Sequence, residues 1–479
     1  MMSKTKKYAG TWRLYEKESL FDGVLFINED ERDVALVIDL PASREDPWPR
    51  LPYLGTLPYI SGTLFSGAQV LLYNCLINHP FTHVASYSRQ IIHADYAFWH
   101  LQVESQREME FTGALFDFGE IVEWSGLCSY EWKLQEDLGF NILWNKKEPI
   151  TINYDENTKL TFHPSQGRTG NAYSKENRII QRVLVELSYR DPTPWDSIMD
   201  DALSIQYLIG LGVNQRITPH QIRYYYPHIS GDSSTCGDPK NRQIPVDVSI
   251  GTGGKPSVRS TNSWDYLYTL DSLMKNGGFG KWKENYIMLK PVLDLYFSTF
   301  SKAYEPEITF LNLMQALETY HARFFANDLD EYRARVEELV NSFSQESDNR
   351  KRWSLFLFSE NQEKSRYIHL RSRLADLIFG EGRLLLFPRV PPTSDPISKL
   401  VHTRNYYTHY KPELLEKAYS PEELPWVAGY LEALLQYHLL VLLGFEPDEV
   451  RMKMVEKVNL IVGNYNIFTK TIDVEKGWT

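Results

Sequence analysis

The sequence predicts an α+β multidomain chain, with a β-rich, sandwich-like N-terminal region followed by an all-α helical bundle. Three observations carry this. Before Asn276 the apolar residues come in short runs and alternations, as in Trp99-His-Leu-Gln-Val-Glu104. Successive strand side chains point to opposite faces, so a period of two marks a half-buried strand. Beyond Gly280 they recur at three- and four-residue steps, as in Phe310, Leu313, Met314, Leu317, Tyr320 and Phe324, which is the pattern of a helix with one buried face. Between the two regimes, Asn276-Gly-Gly-Phe-Gly280 breaks the chain. The expected organisation is a β-rich domain over 7–275, a helical domain over 281–467 and a tail over 468–479.

Each strand-like run has a local reason. Gly23-Val-Leu-Phe-Ile27 and Val34-Ala-Leu-Val-Ile-Asp-Leu40 are rich in β-branched and aromatic residues. Pro41 to Pro58 carries Pro47, Pro49, Pro52 and Gly55, a loop or strand edge. Strand patterns continue over 67–75, 91–103, 160–163 and 179–189, with a turn at Asp155-Glu-Asn157. Pro194 to Gly210 reads as a helix, with Pro at its start and Gly at its end. Residues 221–248 return to tyrosines, turns and short apolar runs.

The helical region is expected to contain 282–299, bent or restarted at Pro291, then the Phe310 stripe, 330–343 and 364–379. Ser420-Pro-Glu-Glu423 resembles a capping box. Val427 to Leu443 is apolar on nearly every side and should be buried.

At 479 residues, 43% hydrophobic and 24% charged, the chain can bury two or three cores. It has no run of eighteen apolar residues, and its basic start, Met-Met-Ser-Lys-Thr-Lys-Lys, leads into no apolar segment. Cys75, Cys128 and Cys236 are odd in number and fit no zinc spacing. The expectation is a cytoplasmic protein with no membrane segment, no metal and no cofactor. The aromatic share of 14% is explained by aromatic-rich strands, or by a surface that stacks bases or sugars.

A net charge of −11 argues against a general nucleic-acid binder. Yet residues 350–404 hold eleven Lys and Arg against five Asp and Glu, a local +6 that leaves −17 elsewhere. Arg350, Lys351, Arg352, Arg371 and Arg373 are candidate phosphate contacts in this block; the alternative is a solvated helix face. His79, His83, His93 and His100 cluster in sequence, but no Cys or carboxylate completes a familiar ligand set. Gly251-Thr-Gly-Gly-Lys255 lacks the earlier glycine and the Ser or Thr of a phosphate loop, so it reads as a turn.

The chemistry converges on Val401-His-Thr-Arg-Asn-Tyr-Tyr-Thr-His-Tyr410. Asp395 suits an N-cap, Pro396 the first helical position and Pro412 a stop. Ile397, Leu400, Val401 and Tyr407 form an apolar stripe; Ser398, His402, Asn405 and His409 form a polar one beside it. Arg404 lies roughly 140° around the helix from His409, at about 100° per residue, but its long stem can reach the same cleft. A guanidinium fork matches phosphate oxygens, and an imidazole moves protons near neutral pH. Asn405 can orient either group or bind the substrate. The same spacing recurs at Arg223 and His228, where Pro227 precedes the His and opposes a continuous helix.

Arg404-Asn405 followed after three residues by His409 resembles the motif of HEPN-domain ribonucleases. The form Arg404-Asn-Tyr-Tyr-Thr-His-Tyr410, with Phe310-Leu-Asn-Leu-Met-Gln-Ala-Leu-Glu-Thr-Tyr-His321 upstream, is similar to the ApeA-like branch. In layout the resemblance covers the whole chain. It implies a metal-independent endoribonuclease with Arg404, Asn405 and His409 as catalytic residues, and a supporting role for Glu318, His321, His402 and Thr408. The alternative for Glu318 and His321 is a local hydrogen-bonded pair. The resemblance further implies an RNA substrate, transfer RNA among the candidates. It also implies a homodimer or higher homo-oligomer, a β-rich sensor or regulatory domain, a phage-derived trigger, and toxicity in abortive infection. The rival readings are a non-catalytic RNA- or nucleotide-binding HEPN adaptor and a lectin-like protein.

Overall fold

The structure is a computed structural model. It describes residues 5–14, 20–41, 55–84, 87–101, 109–119, 121–134, 140–169, 178–227, 243–251, 263–300, 305–343, 354–355, 357–358, 362, 365–379 and 395–469. His228, the turn at 252–255, and Arg350, Lys351 and Arg352 lie outside these residues, as do the side chains of His79 and His83. The chain divides into two compact units, 1–256 with 260–270, and 271–479 with 257–259.

The first unit is built on fourteen described strands, and every pairing among them is antiparallel. Six of them form a closed barrel: β1 (Lys6–Leu14), β2 (Leu20–Asn28), β3 (Asp33–Pro41), β4 (Gly55–Leu64), β5 (Gln69–Val84) and β6 (Tyr87–Trp99). The order is β6-β3-β2-β1-β4-β5, and β5 pairs back with β6. The β-rich reading stands, but this half closes on itself instead of forming two facing sheets. Sixteen residues in β5 and thirteen in β6 let these strands pair along their length and seal the ring.

Trp12 fills the barrel with no exposed surface, among Leu25, Leu36, Ile60, Leu72 and Ile92. Its indole N–H donates to the Gly23 carbonyl at 3.3 Å. A Cβ placed on Gly62 would lie 2.2 Å from Trp12 Cε3, so the ring needs a glycine beside it.

The edge of β6 is shared. Its first half pairs with β3, while Tyr96 to Phe98 pair with β14 (Gln243–Ile250). From there the sheet runs through β13 (Gln221–Pro227), β7 (Glu110–Asp117), β12 (Arg178–Pro194), β11 (Thr158–Thr169) and β10 (Ile150–Asn153). A short helix, α1 (Val122–Ser125), precedes a separate hairpin of β8 (Tyr130–Leu134) and β9 (Phe140–Trp144). Where a strand is expected across Trp99 to Glu104, β6 ends at Trp99, and 102–104 lie outside the described residues. His100 turns into the left-handed region (φ 64°) and donates its N–H to Gln69.

The expected helix at 194–210 is α2 (Trp195–Gly212), packed on β7 and β12. Trp195 stands edge-on to Tyr73, Tyr96 and Phe98, and Phe111 packs on Tyr224. These rings serve the core, which accounts for much of the aromatic surplus. Asp155 Oδ1 accepts the N–H groups of Asn157 and Thr158, making the predicted turn.

The second unit is helical: α3 (Leu270–Lys275), α4 (Gly278–Ser298), α5 (Pro306–Phe324), α6 (Leu329–Phe343), α7 (Leu370–Phe379), α8 (Asp395–His409), a 3₁₀ turn (Pro412–Lys417), α9 (Leu424–Leu442) and α10 (Pro447–Thr469). Pro291 lies inside α4 without ending it. The helix expected over 364–379 starts only at Leu370. Buried Gln362 pins the preceding turn, its amide donating to the Tyr367 carbonyl and its Oε1 accepting the His369 N–H, both at 2.6 Å. Half of the capping box forms: Glu423 accepts the Ser420 N–H at 2.8 Å.

As expected, α9 is buried, but it carries two polar residues. Gln436 donates to the Tyr296 hydroxyl, and His438 Nε2 donates to the Leu377 carbonyl at 2.9 Å. Burial outweighs that hydrogen bond and pushes the His438 imidazole down to about 4. The folded state therefore holds His438 neutral where the unfolded chain, near 6.5, takes a proton.

Two outcomes follow for stability. Gly62→Ala should cost roughly 1–3 kcal/mol by overpacking, while Gly167→Ala, with open space around it, should be nearly neutral; urea midpoints compare them. Stability should be full above pH 6.5 and fall as pH drops towards 4, by about 3 kcal/mol from His438. His438→Gln, whose amide can still donate to Leu377, should flatten part of that slope. Parallel slopes for the two proteins in urea titrations across this window would contradict the assignment.

Candidate active site

The motif lies on the last turns of α8, which packs against α5 and α7. Its buried face is Ile397, Leu400, Thr403 and Tyr407, while Val401, His402, Arg404, Asn405 and Tyr406 are partly buried. The apolar stripe is thus close to the predicted one, with a threonine in its middle. Thr403 donates to the Lys399 carbonyl at 2.7 Å and accepts the Tyr419 N–H at 2.9 Å. One fully buried hydroxyl therefore ties the motif helix to the turn that follows it. Lys399 reinforces the tie, 3.4 Å from Glu423 and 4.1 Å above the Tyr419 ring.

Arg404 and Asn405 are brought together directly. A guanidinium N–H of Arg404 donates to Asn405 Oδ1 at 3.2 Å. This uses one of five donors and fixes the direction of the fork. The Thr408 hydroxyl donates to the Arg404 carbonyl at 2.7 Å, a bond within the helix. His409 is exposed at the last helical residue. The helix ends because Tyr410 turns into the left-handed region (φ 49°), two residues before Pro412 opens the 3₁₀ turn. The second copy of the spacing has no such setting: Arg223 is on β13 and bonds Asp247 at 2.7 Å.

His321 is placed differently from the local pair considered with Glu318. It is fully buried, and both ring nitrogens face α7. Nε2 lies 2.8 Å from Asp376 Oδ2, and an Arg373 N–H donates to Nδ1 at 3.0 Å. With Nδ1 accepting, Nε2 carries the proton, so the ring is neutral. Burial, partly offset by Asp376, depresses its pKa in agreement. Asp376 is also fully buried and accepts Arg335 Nε at 2.7 Å. Burial opposes its charge, but the hydrogen bonds from His321 and Arg335 prevail and keep it below the usual carboxylate range. His321 thus supports the packing of α5, α6 and α7, and α7 in turn contacts α8.

Arg373 also donates to the Ala326 carbonyl at 3.2 Å, so its guanidinium is engaged inside the bundle. Arg371 is half-buried, and burial lowers its pKa. Asp376 and Arg335 have no signal in local sequence, since their partners lie 41 and 55 residues apart. Thr403 has one: it sits three residues after Leu400 on the buried stripe.

The first unit holds a separate cleft of about 1360 Å³. Barrel residues such as Tyr8 and Arg32 line one part of it, and Asp117, Arg182 and Asp247 from the outer strands another. His93, from the histidine cluster, lies on β6 with Nδ1 3.2 Å from Asp33.

Thr403→Val should orphan the buried Tyr419 N–H, costing about 1–3 kcal/mol. Amide hydrogen exchange should speed up across 411–420 more than across α9. Uniform acceleration through both segments would show that the hydroxyl has no local role.

Comparison with known proteins finds two family regions. The ApeA N-terminal domain 1 model matches residues 7–282, and the Apea-like HEPN model matches 311–449. No curated protein and no solved structure matches the chain. The first match spans more than half of the sequence, and the second contains α8 with Arg404, Asn405 and His409. The chain belongs to the ApeA-like HEPN family, a class of defence-type nucleases.

Proposed function

We propose that the protein is a metal-independent endoribonuclease in which Arg404, Asn405 and His409 act on an RNA phosphodiester. The observation that carries this is the motif's setting. An oriented guanidinium and an exposed imidazole share the end of one helix whose other face is buried. Arg404 neutralises the phosphate and stabilises charge in the transition state, and Asn405 aims it. The nucleophile is the substrate's own ribose 2′-hydroxyl. Its oxygen bonds to phosphorus while the bond from phosphorus to the 5′-oxygen breaks, giving a 2′,3′-cyclic phosphate and a 5′-hydroxyl.

One proton leaves the 2′-oxygen and another must reach the 5′-oxygen. A single imidazole cannot readily do both at once. Two copies with their motif helices facing each other would supply two His409 side chains to divide the tasks, which favours a homodimer. A nuclease acting on host RNA has to be restrained. The cleft in the first unit is where a phage-derived trigger would be recognised, so that activation serves abortive infection.

Incubation of the full chain with total RNA or transfer RNA in EDTA should give fragments with 2′,3′-cyclic phosphate ends. His409→Ala should lower single-turnover cleavage by about 10²–10⁴-fold. Arg404→Lys should also impair it, because a point charge does not reproduce the planar fork. Circular dichroism serves as the folding control. Strict dependence on added Mg²⁺, or near-normal cleavage by folded His409→Ala, would refute the reading.

A further inference from the structure

Next to His409, the backbone adopts a conformation that a bulky side chain rarely takes. Tyr410 is left-handed (φ 49°), where Gly or Asn would be comfortable. Its ring is not hidden in compensation, since the residue is 67% exposed. It is nevertheless held in place. Tyr406 meets it at 5.8 Å between centroids with planes at 64°, and Tyr407 at 6.4 Å and 84°. Both contacts are edge-type, and Tyr407 is itself buried, so the support is firm. A large aromatic ring is thus braced from the helix side, exposed to solvent, and one residue from the proposed acid-base group. Exposed Lys411 follows it.

We infer that Tyr410, braced by Tyr406 and Tyr407, is a stacking platform for an unpaired nucleobase beside the scissile phosphate. It makes the site selective for single-stranded or loop RNA. This rests on the nuclease reading for the word scissile, but the stacking itself needs only binding. A base has a π-face whatever its identity, so the platform positions RNA without reading its sequence. In a duplex the base faces are already occupied by their neighbours, so a helical substrate cannot use the ring.

The test uses the full chain carrying His409→Ala, which removes turnover, and a fluorescein-labelled mixed-sequence single-stranded oligoribonucleotide. Tyr410→Asn is the informative variant. Asn is well suited to the left-handed region, so this change should not weaken the fold. Binding of the single strand should weaken about 10- to 100-fold with Tyr410→Asn, while Tyr410→Trp should retain it. The same sequence as a duplex should bind less tightly and be indifferent to both changes. In the chain with His409 intact, Tyr410→Asn should raise the half-saturating RNA concentration more than it lowers the maximal rate.

Single-strand affinity left unchanged by Tyr410→Asn would overturn the platform, whether or not RNA is cut. Tyrosine-dependent binding by a chain that never cleaves would keep the platform and remove the nuclease. Tight duplex binding that depends on Tyr410 would also overturn the selectivity.

Discussion

The helical unit depends on one buried carboxylate. Asp376 has no exposed surface, yet it stays charged because His321 and Arg335 both donate to it. Those donors come from α5 and α6, so a single group on α7 fixes three helices at once. Arg373 completes the arrangement by donating to the far nitrogen of His321, which determines where the imidazole proton sits. Breaking a buried pair of this kind typically costs about 3–5 kcal/mol, because the remaining charge is stranded away from water. The direction of the constraint matters more than its size. Apolar side chains would fill the same space, but they would tolerate rotation of α7 about its axis. A carboxylate with two directional donors does not.

That constraint reaches the motif by contact. The helix α7 packs against α8, whose buried face consists of Ile397, Leu400, Thr403 and Tyr407. Asn405 and, at the tip, His409 lie away from that face, and partly buried Arg404 turns its guanidinium to Asn405. A catalytic group gains from a rigid support, since small errors of position cost large factors in rate. Thr403 supplies the last element of that support. By accepting the Tyr419 N–H, it ties the chain beyond the motif back to the helix.

Much of this is legible in the sequence where the information is local. The Phe310 stripe, the helix that starts near Asp395 and the buried helix over 427–443 follow from spacing that each segment carries alone. So does the motif, because Arg404, Asn405 and His409 fall within six residues. What local spacing does not reveal is long-range. The pairing of β3 with β6, and of β6 with β14, joins segments that no local period connects. The partner of His321 is another case. Glu318, one turn away, is the nearest carboxylate in sequence, whereas Asp376, 55 residues on, makes the bond. The late start of α7 has the same origin, in the Gln362 side chain reaching seven residues forward to the His369 N–H.

The shared strand β6 has a consequence for how the chain is made. The barrel is complete in sequence once Trp99 has been synthesised, but among the described residues the edge at Tyr96 to Phe98 is covered by Val248 to Ile250. About 150 residues separate the two. At roughly 5–20 residues per second, a nascent barrel would present a bare, aromatic strand edge for about 8–30 s. Such edges are templates for pairing with other chains. The period of greatest aggregation risk is therefore set by translation speed through 100–250, and fragments that stop inside this interval would carry the risk permanently.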